Sequence, residues 1–122
     1  MIPARADVSA PFAWTEVGRP DGYAGIGGLD RARVIQCALS RICGVCGEPL
    51  GRPIAFVGTP AEDDRNAFHC PPLHSGCAED LRRLPAADPG WVLASTAAFE
   101  FVRPSAEDAD RRPTFQPNSR LG

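Results

Sequence analysis

Four residues in two short strings could hold a soft metal ion: Cys43-Gly-Val-Cys46 and, after 27 intervening residues, His74-Ser-Gly-Cys77. Thiolate and imidazole suit the borderline softness of zinc, which takes four such ligands in a tetrahedron. Two residues between cysteines let both sulfurs reach one ion from a single tight turn. Gly44 and Gly47 are small where backbone amides must fold around the sulfurs, often at positive φ. His74 and Cys77 converge differently. Residues three apart share one face of a helix, so on a first helical turn both aim at one point, where the helix N-terminus also stabilises thiolate charge. A catalytic zinc keeps a position open for water, whereas three thiolates and one imidazole close the shell. The pattern therefore points to one structural Zn²⁺ held by Cys43, Cys46, His74 and Cys77. His69 and Cys70 stand close by, and a competing set such as Cys43, Cys46, Cys70 and Cys77 stays open at this level. Without a metal role, His69 is a strand residue, facing solvent or packed, and Cys70 is buried beside the site. Cys37 is then a small core hydrophobe.

Other chemistries fit less well. A zinc deaminase needs His-x-Glu and Pro-Cys-x-x-Cys, but His69 and His74 are followed two residues on by Pro71 and Gly76, and Ile42 precedes Cys43. A thioredoxin-like pair needs a helix starting at the motif, and Gly47, Pro49 and Gly51 oppose one. Covalent haem attachment would require histidine at position 47. The glycines of Gly25-Ile-Gly27-Gly28 lack the last glycine of the dinucleotide fingerprint, and with no lysine in the chain a Walker loop is excluded. The leading enzymatic alternative is a nuclease of the His-Asn-His type, with His69 as base and Asn66, Asp63 or Asp64 beside it.

The elements that must position the four ligands are legible in outline. Asp30 can cap a helix whose Val34, Ile35, Ala38, Leu39 and Ile42 share one face. Residues 53–58 have strand chemistry, 59–66 form an acidic polar loop, and 67–70 return as a second strand that Pro71-Pro72 ends. A short helix runs from Ser75 to Leu84, with Glu79 and Asp80 early and Pro85 as its stop. Residues 91–102 form a strand or hairpin, residues 12–17 a short strand with Trp14 packed on the domain, and residues 18–28 a turn-rich linker. The expected organisation is a loosely held segment 1–20, a zinc-binding domain 21–103 and a disordered tail 104–122.

Knuckle, hairpin and helix-borne pair, in that order, resemble a treble-clef zinc finger over about residues 41–84. The resemblance implies the ligands Cys43, Cys46, His74 and Cys77. Within it, residues 41–50, Phe56-Val57 and residues 71–78 are similar to small uncharacterised zinc-binding proteins of actinobacteria and their phages, a group with no activity to carry over. The fold class expected is α+β, one small domain with an N-terminal helix and a C-terminal strand or hairpin. The 27-residue interval exceeds the roughly 12–20 residues of compact zinc motifs, which leaves room for the hairpin.

Composition bounds the function. A core of some 80 residues yields only a few kcal/mol of net stability, so a staple is expected. Five cysteines, an odd number, and the lack of a signal-like or membrane-length apolar run favour a reduced cytoplasmic metal site over disulfides. All thirteen basic residues are arginine, usage that fits the codon bias of a high-GC genome. The net charge of −2 disfavours a general nucleic-acid binder. A protein partner is expected, with nucleic acid the alternative through the helix-borne Arg31 and Arg33 with Arg41, the basic group that Arg52 extends.

Overall fold

Ile54, Ala55, Phe56 and Val57 are apolar without alternation, the pattern of a strand covered on both faces. In the computed structural model, which describes residues 11–14, 28–84, 87 and 89–121, they belong to β1 (Ile54–Gly58), buried along its whole length. β1 pairs antiparallel with β2 (Leu73–His74) on one side and β3 (Val92–Thr96) on the other. With β6 (Arg120–Leu121) outside β3, the sheet order is β2-β1-β3-β6. A second pair joins β4 (Phe99–Val102) to β5 (Thr114–Pro117). Three helices complete the described elements: α1 (Arg31–Ser40), α2 (Pro60–Asp64) and α3 (Ser75–Arg82). The architecture is mixed, with few helices and antiparallel sheets, as an α+β reading requires.

Residues 91–102 are neither a lone strand nor a hairpin of their own. β3 runs into β4 through Ala97-Ala98, and their return partner is β5 with β6, without a slip in register. Ala97 N–H donates to Ser119 O and Asn118 N–H to Ala98 O, both at 3.0 Å, so the ladder carries on through the gap. Thr96, fully buried, fills the bend. Its hydroxyl donates to Ala98 O (2.7 Å) and accepts from Ser119 N–H (3.2 Å).

This corrects the expectation of a disordered tail at 104–122. Its composition is polar, but Phe115 is fully buried and its ring centroid lies 5.8 Å from Phe56, 5.6 Å from Phe99 and 5.1 Å from Phe101. One large aromatic at a strand position outweighs many polar neighbours, because its burial removes most of its apolar area from water. The expected second strand at 67–70 is reduced to a single bridge, Phe68 with Phe115; the partner of β1 is Leu73–His74 instead. The predicted loop at 59–66 contains α2, begun by a capping box. Thr59 Oγ1 accepts from Glu62 N–H (3.1 Å), and Glu62 Oε1 accepts from Thr59 N–H (2.8 Å).

α1 forms where periodicity placed a helix, but its buried stripe is Val34, Cys37 and Ala38, and Leu39 is 68% exposed. Arg41, at φ 54°, ends the helix and turns the chain toward the first cysteine. Asp30 occupies the N-cap position without a side-chain cap bond; its carboxylate lies 3.5 Å from Arg33. Of the segment expected to be loosely held, Pro11, Ala13 and Trp14 are buried. Phe12 and Ala13 stand in a turn, and Trp14 bridges Leu29, where a strand over 12–17 was expected. Positions 15–17, the linker at 18–27 and Pro85 lie outside the described residues.

Replacing Phe115 by Ala should cost about 3–5 kcal/mol, the usual price for emptying a phenylalanine site. Urea unfolding measures it. An unchanged midpoint would show that the C-terminal strands are not part of the core.

Candidate metal centre

The two strings that hold the candidate ligands are folded by short backbone bonds. Residues 41–50 form a tight loop-back: Leu50 N–H donates to Arg41 O (3.0 Å), Cys43 N–H to Glu48 O (2.8 Å) and Gly47 N–H to Cys43 O (2.9 Å). Gly47 sits at φ +74°, a conformation that side chains avoid, so glycine is required there. Gly44 is required for a different reason. A Cβ on it would fall 2.5 Å from Pro71 Cγ, inside van der Waals contact. The turn is clamped from both sides, since Gly44 N–H donates to Pro72 O (2.9 Å) and Gly44 O accepts from Ala13 N–H (2.8 Å).

The second string is set by β2 and α3. His74 pairs with Ile54 at the sheet edge and is also the N-cap residue of α3, and Cys77 lies in the helix's first turn. Ala78 and Leu81 turn the buried face of that helix inward.

The structure brings Cys43, Cys46, His74 and Cys77 together, with one ligand atom from each lying within 4.8 Å of all the others. Cys46 Sγ is 3.3 Å and Cys77 Sγ 3.8 Å from His74 Nδ1. His74 Nε2 lies 2.8 Å from Pro49 O. A carbonyl only accepts, so Nε2 carries the proton and the Nδ1 lone pair faces the sulfurs, an arrangement in which the Pro49 carbonyl fixes the tautomer that can bind a metal. Val45 N–H and His74 N–H both approach Cys43 Sγ at 3.4 Å, oriented to support a thiolate.

The electrostatics show what the cluster lacks. Burial, then the charge of Cys43, pushes the Cys77 thiol up to about 12. Cys46 is also raised, chiefly by burial, against a lowering hydrogen bond from the Glu48 backbone. The Cys46 and Cys77 thiols thus resist ionising on their own. A coordinated cation reverses this, deprotonating its thiols outright. With three sulfurs and one imidazole nitrogen, the donor set fits a soft or borderline metal ion.

Residues proposed for competing sets lie elsewhere. The Cys70 thiol donates to Pro71 O (3.1 Å), and His69 faces Pro113 and Asp110. Among the described residues, no second group of three or more His, Cys, Asp or Glu ligand atoms is gathered this closely. The nuclease constellation is not assembled. Asn66 Nδ2 donates to Pro117 O (2.8 Å), and Asp63 is paired with Arg120 at 2.6 Å. Three members of the basic group are engaged within the chain: Arg31 donates to Arg111 O (2.8 Å), Arg33 donates to Phe12 O (3.0 Å), and Arg41 stacks over Phe99 at 4.9 Å. What sequence reasoning missed is the capping box Thr59-Pro-Ala-Glu62, a legible four-residue signal. It also missed the role of Pro49 O, which no side-chain pattern announces.

No protein-family model, no curated protein and no solved structure matches this chain. Among the described residues, no helix is long and apolar enough to cross a membrane.

The remaining two cysteines have a distinct expected behaviour. Cys37 is fully buried, and burial, then the charge of Cys43, raises its thiol to about 12; burial raises Cys70 as well. In the folded protein at pH 8, iodoacetamide should leave both unmodified, and denaturant should expose both. As the folded values lie above the ordinary thiol value near 9, stability should fall as the pH rises past 9, where the unfolded chain ionises first. Labelling of Cys37 in the native state would contradict the packing described.

Proposed function

We propose that the chain is a small non-enzymatic module organised by one structural Zn²⁺, bound by Cys43, Cys46, His74 and Cys77 in a treble-clef arrangement, and that it acts as a protein-interaction or adaptor domain in a reducing cytoplasm. The observation that carries this is the four-atom cluster whose histidine is locked by Pro49 O with Nδ1 toward the sulfurs. The order of elements supports the treble clef: a turn with two cysteines, the antiparallel pair β1 and β2, and a helix whose cap and first turn bring the other two ligands. Kinship with the small zinc-binding proteins of actinobacteria and phages rests on the strings at 41–50, Phe56-Val57 and 71–78 alone.

A shell of three thiolates and one imidazole leaves no open position for water, so the ion's contribution is to tie the turn to the helix. Apparent binding energies of about 10–16 kcal/mol for structural zinc exceed the stability of so small a core. Protein is favoured over nucleic acid as the partner because Arg31, Arg33 and Arg41 are engaged within the chain.

Elemental analysis should find one zinc per chain, and Co²⁺ replacement should give the visible bands of a tetrahedral thiolate site. Chelation should unfold much of the protein, seen by circular dichroism, and His74→Ala should lower metal affinity by tenfold or more. A protein that stays folded and metal-free would end this reading. Salt-dependent DNA binding in a gel shift, abolished by Arg31→Glu with Arg33→Glu, would replace the protein partner with nucleic acid.

A further inference from the structure

The five cysteines differ in access. Cys46 alone is exposed; Cys77 is half-buried, and Cys37, Cys43 and Cys70 are buried. They also differ in the support their sulfurs receive. Cys43 Sγ lies 3.4 Å from both Val45 N–H and His74 N–H. Donors of that kind stabilise a thiolate and blunt it as a nucleophile. Cys46 has one such donor, the Glu48 backbone, and Cys77 has none among the described residues.

Access selects the sulfur that a dissolved oxidant meets first, and that is Cys46. Support selects the sulfur that answers it. The sulfurs of Cys43, Cys46 and Cys77 lie within 4.8 Å of one another, so rotation of the exposed side chain brings it to either neighbour at a bond length of roughly 2 Å. Cys43 is fully buried and held by two amides, whereas Cys77 stands in the first turn of α3 without them. Cys77 is the better nucleophile of the two.

We propose that Cys46 is a modification site for hydrogen peroxide and that Cys77 resolves the product. The Cys46 thiolate attacks one peroxide oxygen; an S–O bond forms, the O–O bond breaks, hydroxide leaves, and Cys46 becomes a sulfenic acid. The Cys77 thiolate then attacks that sulfur, forming the S–S bond and expelling the second hydroxide. The two sulfurs give up two electrons, the peroxide oxygens take them, and each hydroxide gains a proton to leave as water. The fate of the ion rests on the zinc reading above: two of four ligands are withdrawn together, and the ion is released. The disulfide joins the same turn and helix, so a covalent tie replaces the metal one.

The test uses the full chain purified under reducing conditions, with its zinc first counted by elemental analysis. Hydrogen peroxide is added with dimedone, which captures sulfenic acids, and labelled peptides are followed by mass spectrometry. Cys46 should be marked first, with at least about tenfold less label on Cys43 or Cys77. Without dimedone, peptide mapping should find Cys46 joined to Cys77 and Cys43 still free, with one zinc released per disulfide to a chromophoric chelator. Cys46→His keeps a zinc ligand without the reactive sulfur, and should release zinc at least about tenfold more slowly under peroxide. The wild-type peptide maps decide the assignment even if that variant folds poorly. Label appearing first on Cys43 or Cys77, a disulfide between Cys43 and Cys46, or a zinc-bearing chain whose cysteines survive peroxide unmodified would overturn the proposal. A chain without zinc ends the metal reading instead, and the same maps still decide which sulfur reacts first.

Discussion

Three sulfurs and an imidazole nitrogen are held close together between a turn that cannot relax and the first turn of a helix. Each side is fixed independently. The turn is pinned by Gly44 against Pro72 and the Ala13 backbone, and the helix start by β2 pairing on β1. Left uncompensated, burial and the neighbouring sulfurs raise the proton affinity of Cys46 and Cys77. Whatever joins the two halves must supply positive charge at one point, and the rest of this small core is arranged to hold that point in place.

The aromatic core does the complementary task on the other side of β1. Phe56 contacts Phe68, Phe99 and Phe115 with centroids 5.7–5.8 Å apart, so the strand that meets β2 at the metal cluster also anchors the long bent hairpin. Burial of rings and convergence of ligands are thus coupled through one five-residue strand. Thr96, satisfied inside the bend by bonds to Ala98 and Ser119, lets the hairpin wrap from one sheet to the other without leaving a polar group stranded.

How much of this was legible in the sequence depended on the range of the interaction. The clustering of the four candidate ligands was legible because spacing of two residues is local chemistry, and α1, β1 and α3 followed from periodicity, Gly and Pro. The C-terminal strands were not. Phe115 stands amid polar residues and prolines, and only its pairing with Phe101 in β4 and its bridge to Phe68, 47 positions earlier, give it a strand's role. Leu39 failed for the opposite reason: helical spacing allowed it on the apolar face, but a ten-residue helix buries a narrow arc, and Cys37 took the place. β2 was obscured because two residues after a Pro-Pro pair carry no periodic signal.

The separation along the chain of the two organising centres has a consequence for biosynthesis. All four candidate ligands have been translated by residue 77, while the ring that closes the aromatic cluster arrives only at residue 115. On a ribosome adding about 5–20 residues per second, an emerging chain can present a complete coordination sphere seconds before its hydrophobic interior can close. Capture of the ion can then template the later collapse, and the nascent thiols are protected from oxidation during the interval when the chain is most exposed.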